Sequence, residues 1–159
     1  MKLSTKGRYG LRAVIDLAMH DHEDAVALSQ IAERQGISMN YLEQLIARLK
    51  KAGIVNGIRG AQGGYKLAVA ADKISVGDIL RALEGDLSPV DCSEVIATES
   101  TTGCSNADTC VAKYVWKRIS DSINEAVDGI MLSELVDESR KIQADSNGND
   151  TKAKYACGK

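Results

Sequence analysis

Leu11, Val14, Ile15 and Ala18 recur at the three- and four-residue intervals of an amphipathic helix over residues 6–20, behind candidate caps at Ser4 and Thr5. A shorter helix fits residues 28–35 and stops at Gly36, and Ser38 then caps a third over about 39–52. On that third helix Leu42, Leu45, Ile46 and Leu49 make one apolar stripe, while Asn40, Gln44, Arg48 and Lys51 fall on the opposite side. The runs GIVNGIR (53–59) and YKLA (65–68) are β-prone, and the GAQGG between them reads as the turn of a hairpin. The clearest start signal comes next. Ser75 and Asp78 form an S-x-x-D capping pattern with Ile74 and Ile79 at the staple positions, and Gly85 marks the end of that helix. Residues 86–108 form a polar loop containing the single proline, Pro89. From about Thr109 to Val127 a long helix carries Ala112, Val115, Trp116, Ile119, Ile123, Ala126 and Val127, a stripe too wide for its few sequence-local partners. Residues 132–142 fit one more short helix, and the polar segment 143–159 reads as disordered.

A short helix, a Gly-containing turn and a second helix with a polar outer face make a helix-turn-helix, and the hairpin behind it makes a wing. The expected fold class is mainly α with a small β-hairpin wing: a winged helix-turn-helix domain followed by a long helix. With no Phe and one Trp, Trp116, the core has to be aliphatic. No apolar run approaches a membrane span, and MKLSTKGRYG lacks the apolar segment of a secretory signal. The expected location is therefore cytoplasmic, with no membrane partner. Thiols stay reduced there, so the 4 cysteines read as ligands or redox groups rather than staples.

Charge adds direction. Residues 1–67 hold ten Lys and Arg against six Asp and Glu, a net +4 in a chain of net -2, which leaves -6 for residues 68–159. A basic front end on an acidic chain suits a polyanion at the front end only. No nucleotide-binding loop and no nucleophile–base pair is present, and the two histidines, His20 and His22, sit at the end of the first helix; an enzyme is not expected.

A DNA reader must bury one helical stripe while its other side enters the major groove. On the third helix, opened by Ser38, Asn40 and Gln44 suit adenine edges, and Arg48 suits guanine or a phosphate. Tyr41 suits a sugar or phosphate, and Glu43, which repels phosphate, can accept from cytosine N4. In the wing, Arg59 stands at the shoulder, Gly60 and Gly63 permit close approach to a duplex, and Gln62 and Lys66 lie beside Arg59 at the minor groove. A solvated helix or a plain surface hairpin offers similar residues singly. Helix-turn-helix, wing and local basic charge together point to double-stranded DNA.

Cys92, Cys104 and Cys110 are spaced C-x11-C-x5-C. Three thiols in one loop, the last near a helix N-terminus, can become thiolates and hold a soft metal centre. The spacing matches no standard zinc or ferredoxin run, and alone it favours generic cytosolic cysteines.

MKLSTKGRYG, YLEQL at 41–45, IRGAQGGYKLA at 58–68 and GDILRALEG at 77–85 together resemble the IscR-like winged-helix transcriptional regulators, the family that includes IscR, NsrR and CymR. The likeness covers about residues 1–137. It implies a homodimer whose long helices cross, burying Val115, Ile119, Ile123 and Val127, and a palindromic operator. IscR and NsrR hold an iron–sulfur cluster on three cysteines of this loop, which CymR lacks. The resemblance therefore implies a cluster on Cys92, Cys104 and Cys110, 2Fe–2S ahead of 4Fe–4S. Two departures stand out: Lys113 occupies the place of the IscR-type fourth ligand, a His, and Arg8 that of the NsrR-type carboxylate. Asp91, Glu94, Glu99, Asp108, an exogenous thiol or water are the open alternatives, and Cys157 reads as a free thiol.

The expected organisation is a DNA-binding domain over 1–85, a cysteine-bearing loop over 86–108, a dimerisation helix and short C-terminal helix over 109–142, and a disordered tail over 143–159. The expected function is a homodimeric regulator sensing iron–sulfur, redox or nitric oxide status. Its alternatives are a DNA-binding regulator with a thiol switch or zinc site, and a winged helix that binds protein.

Overall fold

The computed structural model describes residues 4–21, 24–90 and 109–148. Helix α1 (Thr5–His20) opens on Ser4, whose hydroxyl accepts from the Lys6 amide at 3.0 Å. It is followed by α2 (Leu28–Gln35) and α3 (Met39–Lys51). Between them Gly36 takes φ +63°, a left-handed turn that favours glycine, and returns its N–H to the carbonyls of Ala32 and Glu33. Strands β1 (Val55–Ile58) and β2 (Gly64–Leu67) pair antiparallel, with Val55 opposite Leu67 and Ile58 opposite Gly64. Val26 adds a bridge to Tyr65 on the outer edge of β2, through bonds of 2.9 and 2.8 Å. Its carbonyl lies 2.5 Å from where a Cβ on Gly64 would sit, so the edge is closed only because position 64 has no side chain.

Helix α4 (Val76–Glu84) starts with the expected capping box: Asp78 N–H to Ser75 Oγ and Ser75 N–H to Asp78 Oδ2, both 3.0 Å. Helices α5 (Ala112–Asp128) and α6 (Leu132–Gly148) complete the described residues, which hold six α-helices and one hairpin. Val14 and Leu17 of α1, Ile31 of α2, the stripe of α3, Val55, and Ile79 and Leu83 of α4 form one aliphatic core. Gly7 and Gly10 let α4 lie directly on α1; a Cβ on Gly10 would collide with the Leu83 methyls.

Two features differ from the sequence reading. Helix α6 runs on to Gly148, past the expected end at 142, and its first turns belong to the N-terminal core, where Leu132 is fully buried and Val136 nearly so. Backbone bonds Val76 N–H to Ile130 O (2.9 Å) and Leu132 N–H to Ile74 O (2.8 Å) sew the α5–α6 turn to the start of α4. The stripe of α5 is also divided. Ile123 and Val127 pack within the chain against Val76, Leu80 and Leu87, whereas Val115 and Ile119 are exposed together with Val111 and Tyr114.

Candidate nucleic-acid interface

Helix α3 buries Leu42, Leu45, Ile46 and Leu49 to within 1 % of full burial, which fixes its rotation and turns Asn40, Glu43, Gln44 and Arg48 outward. Ser38 occupies the N-cap through its carbonyl, which accepts from Leu42 N–H at 3.0 Å. Its exposed hydroxyl makes no capping bond. Tyr41 is half-buried: its hydroxyl donates to Thr5 Oγ1 at 3.0 Å and its ring meets Tyr9 edge-on at 6.2 Å. That side chain therefore ties the start of α3 to the start of α1.

In the wing, Arg59, Gly60 and Gln62 are exposed in the turn. Gly60 has φ +129°, and a Cβ on Gly63 would lie 2.8 Å from the Ile58 carbonyl, so the turn accepts neither as a larger residue without strain. Lys66, opposite Asn56 in β2, is half-buried. The structure adds Lys50, absent from the expected set. Its ammonium lies 3.5 Å from the Cβ position of Gly57, so it reaches from α3 across to β1. Only a spatial pairing of helix and hairpin reveals this, since in sequence Lys50 is simply a residue near a helix end. An open groove lined by Gln44, Ala47, Arg48 and Lys51 runs along the second half of α3.

Two charged networks hold the helix-turn-helix in place. The Asp16 carboxylate, with its side chain 3 % exposed, receives Arg34 Nε at 3.0 Å and Gln35 Nε2 at 2.7 Å, locking the end of α2 to α1. The Arg34 guanidinium is raised further above its usual range by the hydrogen bond and charge of Asp16, against the opposing pull of burial. At the other end, Glu84 Oε1 accepts from Ser4 Oγ (2.6 Å), Gly7 N–H (2.8 Å) and Ser4 N–H (3.1 Å), capping α1 from α4. Burial alone would raise the Glu84 carboxyl, but these donors and the charge of Lys6 outweigh it and hold the group below the ordinary carboxylate range.

Between α4 and α5, Arg81 donates to Asn124 Oδ1 at 3.1 Å and pairs with Asp128 and Asp78. A Cβ on Gly77 would occupy the space of the Asp128 carboxylate. Asn124 in turn donates to the Ser120 carbonyl, and Ser120 Oγ lies 3.1 Å from Ser88 Oγ. Asp78 is held below the usual carboxylate range by the backbone and side-chain hydrogen bonds of Ser75 and by Arg81, against burial.

Of the expected cluster ligands, Cys110 is described: a free, half-buried thiol just ahead of α5. Cys92, Cys104 and Cys157, like Asp91, Glu94, Glu99 and Asp108, lie outside the described residues. Lys113, at the position of the expected His, has its ammonium 5.5 Å from the centre of the Tyr114 ring. Arg8 sits 6.0 Å over Tyr9. Among the described residues no helix is long and apolar enough to cross a membrane.

A family model of the Rrf2 type, described as an iron-dependent transcriptional regulator, matches residues 3–138. The chain belongs to the Rrf2 family. This Rrf2 protein is 37% identical to the HTH-type transcriptional regulator IscR of Erwinia tasmaniensis over 156 residues, 98% of this chain and 91% of that protein. Among solved structures, IscR of T. potens superimposes with a TM-score of 0.69 at 44% identity, covering 90% of this chain and 91% of that one. CymR, the global cysteine regulator of B. subtilis, gives 0.68 at 40% identity, covering 87% and 98%. These likenesses establish the winged-helix fold and an IscR-like transcriptional regulator that works through DNA rather than an enzyme.

Proposed function

We propose that this Rrf2 protein is a homodimer that binds a palindromic operator through α3 and the wing, with a thiolate-held centre on the segment before α5 setting its affinity. The observation that carries the reading is the outward face of α3, where Asn40, Gln44 and Arg48 stand clear of the core while Lys50 reaches to the hairpin that bears Arg59. In this reading Asn40 and Gln44 read bases, Ser38, Arg48, Lys50 and Lys66 meet phosphate, and Arg59 and Gln62, with Gly60 and Gly63, approach the minor groove. Glu43 discriminates against bases that offer it no donor. The exposed run Val111, Tyr114, Val115 and Ile119 supports a twin α5 as its partner, with Ile123 and Val127 shared between that contact and the chain's own α4.

The IscR relatives support an iron–sulfur cluster as the centre. Cys110 fits it: its thiol forms no disulfide, lies half-buried just ahead of α5, and is a soft sulfur donor of the kind that iron–sulfur centres take. Cys92 and Cys104 supply the remaining soft donors. Lys113 does not fit, because an ammonium has no lone pair for iron, so the fourth ligand comes from another group. When bound, the cluster supplies a redox- and nitric oxide-reactive centre at the start of α5. The chain's own part is mechanical: Arg81 fastens α4 to α5 through Asn124 and Asp128, and Ser88, after α4, meets Ser120, so a shift of α5 moves the platform behind α3.

A thiol switch without metal is the second reading, favoured by the thiol of Cys110, which is half-buried and outside any disulfide. Anaerobic purification with absorption spectra and iron and acid-labile sulfide analysis separates the two. The cluster reading expects coloured protein that loses its chromophore in Cys92→Ala, Cys104→Ala or Cys110→Ala and keeps it in Cys157→Ala. Colourless protein that cannot be reconstituted with iron and sulfide leaves the thiol switch in its place.

A further inference from the structure

Large apolar side chains are kept off the surface of the winged-helix half: among the described residues 4–90, only Met39, Ile58 and Val69 are exposed. Exposed apolar groups need no special account when scattered, but Met39 has a telling place. It is the first residue of α3, directly after the N-cap Ser38, and 41 % of its surface is open. The first turn of a recognition helix is the part that meets base edges. Asn40, which follows it, and Glu43, one turn on, are exposed hydrogen-bonding groups. Met39 offers no donor or acceptor of comparable strength. The one feature of a base edge in the major groove that an apolar side chain recognises is the thymine 5-methyl group, and the unbranched, polarisable Met chain can follow that surface.

We infer that Met39 is a specificity-determining residue that packs on a thymine methyl, fixing one T·A pair in each half-site next to the positions read by Asn40 and Gln44. The inference rests on the proposed reading of α3 as the recognition helix. Burial of one methyl corresponds to about a fourfold change in affinity per half-site, and about fifteenfold when both half-sites of a palindrome change together.

The test uses the full-length protein and a duplex selected by it from a random-sequence library. Each thymine is replaced in turn by deoxyuridine, which removes the methyl and keeps every hydrogen-bonding edge. Wild-type protein is expected to lose about fourfold at one thymine of each half-site and little elsewhere. Met39→Ala, whose exposed position leaves the core intact, is expected to bind thymine and uracil versions of that site equally, and Met39→Leu to restore the discrimination. Full wild-type affinity for every uracil duplex, or an undiminished uracil penalty in Met39→Ala, overturns the inference. Gln44→Ala is run in parallel. If it loses preference for the selected sequence while uracil has no effect, Met39 alone is wrongly assigned. If the wild-type protein enriches no sequence, the recognition-helix reading falls and takes this inference with it.

Discussion

Replacing Asp16 by Asn keeps the shape of the side chain and removes its charge. The carboxylate is 3 % exposed and accepts Arg34 Nε at 3.0 Å through Oδ1 and Gln35 Nε2 at 2.7 Å through Oδ2. An Asn amide has only one oxygen, so its NH2 confronts one of those donors. Breaking a fully buried pair costs about 3–5 kcal/mol, and breaking an exposed one about 0–1 kcal/mol. Here the carboxylate is buried while the Arg34 side chain is 34% exposed, so water takes up part of the released charge. The expected loss is therefore intermediate, about 2–3 kcal/mol. Arg34→Met is expected to cost at least as much, because it leaves the buried carboxylate with Gln35 as its main donor. Asp16→Asn combined with Arg34→Met is expected to cost less than the sum of the two single changes, because neither charge is then stranded. Urea unfolding followed by far-UV circular dichroism at one fixed protein concentration measures all four proteins. A loss under about 0.5 kcal/mol for Asp16→Asn, or single and double changes that add within about 0.3 kcal/mol, would refute the view that this network holds α2 against α1.

Glu84 and Asp78 are both held below their ordinary range, so each contributes stability that is present above the unfolded carboxylate values and is lost as pH falls through the folded ones. Urea midpoints are expected to hold steady from pH 7 to about 5 and to fall below about pH 4, with a shallower fall in Glu84→Gln; an identical slope in that variant contradicts the capping role. Ile119→Asp is expected to give folded monomers in sedimentation with the unfolding midpoint of the winged-helix half retained. Ile123→Asp also lowers that midpoint, because Ile123 packs beside Val76 and Leu80; an unchanged dimer in Ile119→Asp places the interface elsewhere. Arg59→Ala is expected to weaken operator binding and to make the slope of log K against log salt shallower by about 0.9 if it meets one phosphate. An unaltered affinity and slope remove Arg59 from the interface.

The parts of the fold governed by local period were legible in the sequence. The stripe of α3, the Ser75–Asp78 box and the Gly-rich hairpin each follow from rules spanning a few residues, and each has the expected form. What required three dimensions was the choice of partner. Asp16 lies in the apolar arc of α1 beside Ala13 and Leu17, a signal of a buried carboxylate, but nothing local names Arg34, 18 residues on, as its mate. The apolar stripe of α5 has one period but two destinations. Its spacing cannot say that Ile123 and Val127 turn to α4 while Val115 and Ile119 face outward. Nor does the sequence of α6 announce that Leu132 and Val136 complete a core built from residues 13–83. At the candidate site the outward residues of α3 were readable from their opposition to the buried stripe. Lys50 and Met39 were not: one acquires meaning from its approach to β1, the other from its exposure at the first turn.

The most direct test of the central claim compares wild-type and Gln44→Ala binding to the selected operator and to a random duplex of equal length at one moderate salt concentration. A base-reading α3 predicts that Gln44→Ala loses about 1–3 kcal/mol on the operator and little on the random duplex. Equal losses on both would reduce Gln44 to a backbone contact, and no loss on either would contradict the assignment of α3 as the helix that reads DNA.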